Sequence, residues 1–231
     1  WGANAVYTLP TETTIRASYA EGFKAPTLYQ LYGPFGLGNK DLKPETARSY
    51  DIGIEQKLIG DTVSASATWF HRDTTNQIDY DQGTFRYGNI DRARVEGVEI
   101  ALNMRPSSTL TLSAAYSFID AKNRAPADVD FGNDLARRPH QSVSASIDWK
   151  TPIGLGVGAT VLTVGDSFDD AANLNRLDGY AIVGLRADFP IGDKFSVYGR
   201  VDNLFDEKYT VVRGYNTPGR AAYGGIRLKF N

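Results

Sequence analysis

The sequence contains no cysteine, and this absence excludes disulfides, thiolate metal sites and a cysteine nucleophile. It has only two histidines, His71 and His140, and neither accompanies a serine–aspartate pattern typical of a catalytic triad. No apolar run approaches the roughly 18 residues that a transmembrane helix needs. The formal net charge of -2 also lacks the basic excess of a nucleic-acid-binding protein. We therefore expect neither an enzyme nor a nucleic-acid partner.

The abundant residues favour strands and turns. The 231 residues include 23 Gly, 13 Tyr, 11 Phe and 10 Pro, and 42% of the chain is apolar. This apolar share is that of a folded protein and not of a disordered one. The length suits one large all-β unit or two small domains.

Apolar and polar residues alternate along most of the chain, as in Val143, Ala145, Ile147 and Trp149, which are separated by serines and Asp148. This period of two is typical of β-strands with one apolar face. It predicts about eleven strands, near residues 2–9, 13–21, 46–58, 62–73, 90–105, 108–120, 140–150, 155–165, 179–189, 194–202 and 220–230. One turn of helix is predicted near residues 26–32.

The connections between these strands alternate in length. Short ones lie near residues 10–12, 59–61, 106–107, 151–154 and 190–193, and long ones span about 22–45, 74–89, 121–139, 166–178 and 203–219. Tight turns at one end and long loops at the other are the layout of outer-membrane barrels. We expect the long loops on the extracellular side.

The polar alternate positions carry many charges, namely Arg16, Asp51, Glu55, Lys57, Glu99, Asp148, Arg186, Asp188, Arg200, Arg227 and Lys229. The opposite positions are rich in Ala and Gly, which suit a lipid-facing surface better than a close-packed core. The sequence thus predicts an all-β, antiparallel transmembrane barrel with a wide polar lumen. Aromatic girdles are predicted from Trp149, Phe189 and Phe230 at the short-turn ends and from Trp69, Phe70 and Tyr19 at the long-loop ends.

Three stretches resemble the family of TonB-dependent receptors. "ASYAEGFKAPTLYQLYGPFGLGNKDLKPETARSYDIGIE" (residues 17–55) resembles a strand–loop–strand segment with Phe-x-Ala-Pro before Asn-x-x-Leu-x-Pro-Glu. "NIDRARVEGVEI" (residues 89–100) is similar to the family's Asn-x-x-x-Ala-x-x-x-Gly-x-Glu strand. "VDNLFDEKYTVVRGYNTPGRAAYGGIRLKF" (residues 201–230) resembles the family's closing segment. The three occur in the family's order across nearly the whole chain.

The resemblance implies that residues 1–231 are the C-terminal part of an integral, multi-pass outer-membrane receptor barrel of about 22 strands. The plug, the TonB box and the first half of the barrel are absent, and Trp1-Gly2-Ala3-Asn4 begins no signal peptide, so we expect a piece of a longer chain. The implied partners are TonB through the missing N-terminal part, outer-membrane lipid and the barrel assembly machinery. The implied activity is active uptake of a bulky nutrient, with cobalamin ahead of ferric siderophores because of residues 214–220. A passive porin is the alternative.

Large amphipathic ligands are usually held by aromatic faces and a few polar groups. The long loops offer Tyr29, Tyr32, Phe35, Phe131, Phe168 and Tyr215 as candidate ligand-binding residues. No resident cofactor is expected, except that calcium could bind loop carboxylates, the candidates being Asp128, Asp130, Asp134, Asp166, Asp169 and Asp170. Solvated loop charges are the alternative for these aspartates. Phe230, on the apolar face of the last strand, is the predicted assembly signal.

Overall fold

The computed structural model describes residues 1–81 and 83–230, and it consists almost entirely of one antiparallel sheet of eleven strands. Strands of this sheet that follow one another along the chain also lie next to one another in the sheet. A small, separate two-stranded hairpin lies in the connection between the eighth and the ninth of these strands. The large sheet comprises β1 (Gly2–Thr8), β2 (Thr13–Lys24), β3 (Glu45–Ile59), β4 (Val63–Asp81), β5 (Arg86–Ser107), β6 (Leu110–Asn123), β7 (Gln141–Lys150), β8 (Gly156–Val164), β11 (Tyr180–Ile191), β12 (Phe195–Asp202) and β13 (Ala221–Leu228). The hairpin comprises β9 (Ser167–Phe168) and β10 (Arg176–Leu177). The predicted set of strands is confirmed.

The register sorts the side chains of the large sheet onto two faces. One row across five strands consists of Ala17, Ile52, Trp69, Val98 and Phe118. Cross-strand partners point to the same face and neighbours along a strand to opposite faces. We call the face with this row the apolar face.

The neighbouring row, one residue along each strand, consists of Arg16, Gly53, Thr68, Glu99 and Ser117. We call its side of the sheet the polar face. All the charged strand residues predicted for the lumen, from Arg16 to Arg227, lie at positions of this face. Phe70 also does, since it is paired with Gly97. Its predicted place in the lipid-facing girdle is therefore wrong, because it is one residue out of step with Trp69.

The apolar face is not packed against another layer of protein. Ile147 is 42% exposed, Ile226 is 63% exposed and Leu228 is 56% exposed. A water-soluble sheet would bury such a face, whereas a membrane barrel turns it toward lipid. Phe230, just beyond β13, is 89% exposed, and its role in assembly stays a prediction.

The connections are sorted by length as predicted, with one exception. The sequence predicts a long loop at residues 74–89, but β4 continues to Asp81 and β5 begins at Arg86. Pairing between the two strands extends to Asp81 and Arg86. Thr, Asn, Asp and Gly are common in this stretch and mask the strand pattern, but the backbone groups are satisfied by the partner strand.

The predicted turn of helix is confirmed as α1 (Leu28–Tyr32). Thr27 caps it, because the Gln30 N–H donates to Thr27 Oγ1 over 3.2 Å and the Thr27 N–H donates to Gln30 Oε1 over 2.9 Å. This reciprocal pair is a capping box. Among the described residues, no helix combines the length and the apolarity that crossing a membrane requires.

Candidate ligand site at the long-loop end

The loop of residues 25–44 lies against the polar face of the extended β4–β5 hairpin. Asn89 fixes its end, since Asn89 Oδ1 accepts from the Lys43 N–H over 2.8 Å and Asn89 Nδ2 donates to Lys43 O over 3.1 Å. Asn39 Nδ2 donates to Tyr87 O over 2.9 Å. Buried Glu45 accepts from the Ile78 N–H over 3.0 Å and pairs with Lys24 Nζ at 2.8 Å. The loop is thus held over the polar side of the sheet.

This arrangement brings three tyrosines together, which we call the tyrosine cluster: Tyr29, Tyr80 and Tyr87. The rings of Tyr29 and Tyr87 are 6.3 Å apart edge to face, and those of Tyr80 and Tyr87 are 5.3 Å apart. Tyr29 remains 54% exposed, so part of one ring stays open to a ligand. The sequence predicts Tyr29 as a ligand-binding residue but not Tyr80 and Tyr87, because both lie in the stretch 74–89 that is predicted to be an irregular loop.

Two other predicted aromatic residues lie in the same loop but outside the tyrosine cluster. The Lys40 ammonium lies over the Tyr32 ring, 5.5 Å from the ring centroid, in a cation–π contact. Phe35 is 98% exposed and has a positive φ of 57°. Neither makes a ring contact with Tyr29 among the described residues, so the loop offers separate aromatic surfaces.

The remaining predicted aromatic residues lie in three other loops. Phe131 is 52% exposed and Tyr215 is 75% exposed, whereas Phe168 is half-buried in β9. The Phe168 carbonyl accepts from the Arg137 N–H over 2.6 Å, which joins two of these loops. The structure therefore does not gather the six predicted aromatic residues into one pocket.

Asp169 connects the loops after β6, β8 and β12, and we call it the loop hub. Its side chain is 1% exposed. Asp169 Oδ1 accepts from Arg137 Nη1 over 3.2 Å, and Asp169 Oδ2 accepts from the Arg213 N–H over 3.3 Å. A buried carboxylate needs such charged and backbone donors to offset its desolvation. Asp169 thus has a structural role in joining the loops.

Asn133 and Asn173 strengthen the link between the loops after β6 and β8. Asn133 Nδ2 donates to Ala171 O over 3.0 Å. Asn173 Oδ1 accepts from the Asp134 N–H over 2.8 Å, and Asn173 Nδ2 donates to Asp134 O over 3.0 Å. These loops form one hydrogen-bonded unit at the mouth.

The six aspartates predicted as calcium ligands do not form one group. Asp166 pairs with Arg176 at 3.3 Å, and Asp169 pairs with Arg137. Asp134 pairs with Lys122 Nζ at 2.6 Å and with His140 Nε2 at 3.0 Å. Calcium binding in the loops stays a prediction for all six aspartates. Among the described residues, Asp128, Asp130 and Asp170 are the three without a salt bridge.

Those three carboxylates lie near one another. Burial raises the pKa of Asp130, and the negative charges of Asp128, Asp170 and Asp81 raise it further. For Asp134, burial also opposes ionisation, but hydrogen bonds from Lys122 and His140 outweigh it and lower the pKa of that carboxyl group. In the loop after β6, the surroundings therefore disfavour the ionised form of Asp130 and stabilise the ionised form of Asp134.

Within residues 1–81 and 83–230, Asp120, Asp134 and His140 bring potential metal ligands within 4.8 Å of one another. Lys122 Nζ lies 2.6 Å from Asp134 Oδ1 and 3.4 Å from Asp120 Oδ1. The ammonium group already balances both carboxylates, so this group is best described as an ion-pair network.

The polar face below the loops is lined with paired charges. Arg186 pairs with Asp148, and Arg16 Nη2 lies 2.9 Å from Glu55 Oε2. At the short-turn end, a cavity of about 470 Å³ is lined by Asp148, Arg186, Asp188 and Arg227, among others. Charges of both signs suit a wet passage better than a dry core.

Known proteins share this architecture. The family model "TonB dependent receptor-like, beta-barrel" matches residues 1–204. The vitamin B12 transporter BtuB of Photobacterium profundum is 28% identical over 239 residues, with 100% of this chain and 38% of that protein covered. The chain thus spans less than half the length of this curated relative.

Solved structures share the same fold. The siderophore receptor PiuA from Acinetobacter baumannii gives a TM-score of 0.82 at 21% identity, over 99% of this chain and 35% of that one. The copper transporter OprC gives a TM-score of 0.80 at 18% identity, over 99% of this chain and 39% of that one. At these identities the likeness establishes the fold of the sheet.

Proposed function

The chain belongs to the family of TonB-dependent receptor-like β-barrels, and we propose that it forms the C-terminal part of a receptor that imports a bulky nutrient. Proteins of this family are integral to the outer membrane and are transporters, not enzymes, as the sequence analysis expected. We further propose that a preceding part of the natural protein supplies the other strands, the plug and the contact with TonB.

One observation carries this proposal: the tyrosine cluster lies on the same side of the sheet as the charged wall. Tyr80 and Tyr87 are cross-strand partners at a polar-face position, above the rows that contain Glu99 and Arg16. A ligand held by the mouth would therefore contact tyrosine rings first and the paired charges of the wall afterwards. Aromatic faces with a few polar groups are the usual environment of a large amphipathic ligand.

For the ligand we propose cobalamin ahead of a ferric siderophore. The support is the resemblance of Gly-Tyr-Asn-Thr-Pro-Gly-Arg at residues 214–220 to the closing segment of cobalamin transporters, and the similarity to a vitamin B12 transporter. A ferric siderophore is the second candidate. Its support is the ferric enterobactin receptor PfeA of Pseudomonas aeruginosa, 26% identical over 98% of this chain with a TM-score of 0.77.

The test uses the longest natural chain that carries residues 1–231, purified in detergent. Equilibrium binding is measured for cyanocobalamin and for several ferric siderophores, including ferric enterobactin. Nanomolar binding of cobalamin is the expected result. Tight binding of a siderophore without cobalamin binding would reverse the ranking. Binding of neither, together with ion conductance through an open pore, would favour the passive porin and contradict the receptor.

The tyrosine cluster gives a sharper version of the same test. Tyr29→Ala removes the most exposed ring of the cluster, and aromatic contacts are worth about 0.5–1.5 kcal/mol beyond their buried area. We expect ligand binding to weaken by about tenfold, equivalent to about 1.4 kcal/mol. Tyr7→Ala is the matched control, because Tyr7 is 67% exposed on the apolar face of β1. Equal losses in both variants would contradict a ligand-binding role for the cluster.

A further inference from the structure

The apolar face carries no charge along most of its height, but it ends in a charged belt on β2 to β6. The last uncharged row consists of Trp69, Val98 and Phe118 with their neighbours. Two residues further toward the long loops, the same face carries His71, Glu96 and Asp120. The register carries these rows beyond the ends of β8, β11, β12 and β13, which stop at Val164, Tyr180, Asp202 and Ala221. The belt is therefore restricted to one sector of the sheet.

Within this belt, β5, β6 and the residue that follows β6 carry four cations, which we call the basic quartet: Arg92, Arg94, Lys122 and Arg124. Arg94 and Lys122 are direct cross-strand partners. The Arg124 N–H donates to the Arg92 carbonyl over 2.8 Å, which continues the pairing and sets Arg124 across from Arg92. Like charges at directly opposed positions destabilise a sheet. The arrangement thus favours the presence of an anion.

The quartet is only partly neutralised by protein. Arg94 Nε pairs with Asp73 at 3.0 Å, and Lys122 pairs with Asp120 and Asp134. In the described residues, Arg92 has no ion pair although it is exposed, and Arg124 Nε is buried without a hydrogen-bond acceptor. Among the described residues, exposed Arg92 and half-buried Arg124 are therefore the two cations of the quartet that no protein carboxylate neutralises.

The height of the quartet fits the head-group layer of a membrane. Arg94 and Lys122 lie four residues beyond Val98 and Phe118, about 13 Å along the strand and about 10 Å in height for a strand tilted by roughly 40°. Long cationic side chains also bend toward the interface while their stems contact apolar surface. The lipid phosphates lie just outside the hydrocarbon, within reach of these groups.

A groove next to Arg92 has the lining that an amphipathic molecule requires. Its volume is about 820 Å³, and its walls include Phe23, Tyr50, Arg48 and Arg92 together with the carboxylates Glu21, Asp73 and Asp91. The aromatic rings offer apolar contact. Arg48 lies 3.9 Å from Glu21 and Asp73 pairs with Arg94, so the Arg92 guanidinium is the bidentate donor left for phosphate oxygens. A free anion would make no use of the rings.

From these observations we infer that the basic quartet binds the phosphate of an anionic lipid of the outer leaflet, on the outside of the barrel. The inference concerns the membrane-facing surface, so it holds whatever nutrient the lumen admits. Arginine supplies bidentate hydrogen bonds to phosphate, and each cation near an anionic surface adds electrostatic attraction.

The experiment measures lipid retention by the longest natural chain that carries residues 1–231. The detergent-solubilised protein is titrated with dioleoyl-phosphatidylglycerol or dioleoyl-phosphatidylcholine, and bound lipid is counted by native mass spectrometry. Phosphatidylglycerol is expected to bind more tightly. The double variant Arg92→Gln/Arg124→Gln is expected to weaken its binding about thirty-fold, the equivalent of about 1 kcal/mol for each cation.

Two further variants separate charge from folding and from position. Arg92→Lys/Arg124→Lys keeps both charges and should bind within a few-fold of the wild type. Arg72→Gln removes a cation of similar height from the polar face, where Arg72 is exposed, and should leave binding unchanged. Wild-type affinity in the double glutamine variant, or an equal loss in Arg72→Gln, would overturn the inference. Equal affinity for both lipids, or displacement of lipid by millimolar inorganic phosphate, would also overturn it.

Discussion

The two halves of the sheet build their long-loop ends in different ways. In the first half, β3, β4, β5 and β6 have 15, 19, 22 and 14 residues. In the second half, β7, β8, β11, β12 and β13 have 10, 9, 12, 8 and 8 residues. A tilted strand needs about 9–11 residues to cross a bilayer. In the first half, β3 to β6 therefore continue beyond the membrane as paired backbone, whereas β1 and β2, with 7 and 12 residues, and the strands of the second half do not.

The difference determines what holds each region in place. The extended β4–β5 hairpin is held by backbone pairing, which depends on register and little on individual side chains. The loops of the second half are held by side chains. The loop hub Asp169 accepts hydrogen bonds from Arg137 in the loop after β6 and from Arg213 in the loop after β12. A single substitution should therefore affect the second half more than the first.

Replacing the loop hub is expected to have the largest effect. Asp169→Ala removes the acceptor for Arg137 Nη1 and for the Arg213 N–H, and breaking a buried ion pair costs about 3–5 kcal/mol. Amide hydrogen exchange should rise by two orders of magnitude or more in the loops after β6, β8 and β12. The β4–β5 hairpin should keep its protection.

Asp166→Ala is the control for that substitution. Asp166 pairs with Arg176 at 3.3 Å, but its side chain is 56% exposed, so the pair should be worth less than about 1 kcal/mol. If the two variants exchange at the same rate, Asp169 does not organise the loops.

The next largest effect is expected in the first half, at a glycine where strands approach closely. A Cβ added to Gly97 would lie 2.1 Å from Phe118 O and 2.8 Å from Phe70 Cζ. The β5–β6 backbone would have to shift, and such overpacking usually costs about 1–3 kcal/mol. Gly97→Ala should lower the thermal unfolding midpoint and the yield of folded barrel.

Gly88 supplies the matched position on the same strand, because an added Cβ there meets nothing within 4 Å. Gly88→Ala should therefore fold as well as the wild type. An equal drop in yield for both variants would show that strand flexibility matters and not the contact with Phe118.

The smallest expected effect is a pH dependence of the loop after β6. Lys122 and His140 lower the pKa of Asp134 in the folded state. The resulting stabilisation is complete above the ordinary aspartate pKa of about 3.9 and is lost as the pH falls through the lower folded value. Unfolding midpoints measured from about pH 6 down to about pH 3 should therefore fall more steeply for the wild type than for Asp134→Asn. Identical slopes would contradict the stabilising role of Asp134.

The sequence alone predicts the strands, their two faces and the end at which the long loops lie. It does so because lipid and a wet lumen impose opposite requirements on neighbouring residues such as Ile147 and Asp148. Above the membrane this constraint disappears, and the prediction fails there. Residues 74–89 alternate only briefly, at Ile78 and Tyr80, and their many turn-forming residues predict a loop, although residues 74–81 and 86–89 belong to the paired strands β4 and β5.

The candidate site is less predictable for the same reason. Tyr29 is a candidate from the sequence because it lies in a loop, but its partners Tyr80 and Tyr87 depend on how far the hairpin extends. Closeness in sequence groups the aspartates, whereas the fold pairs Asp134, Asp166 and Asp169 with different cations. Long-range pairing between loops leaves no local pattern in the sequence.

The central claim is that the apolar face contacts lipid and the polar face lines the lumen. Since residues 1–231 contain no cysteine, Ala145→Cys and Ser146→Cys place one label each on neighbouring positions of β7 that face opposite ways. The labelled proteins are reconstituted into vesicles that contain brominated phosphatidylcholine, and fluorescence quenching is measured. The label at residue 145 should be quenched by the brominated lipid, and the label at residue 146 should be quenched by aqueous iodide. The opposite pattern, or equal quenching of both labels by lipid, would contradict the account.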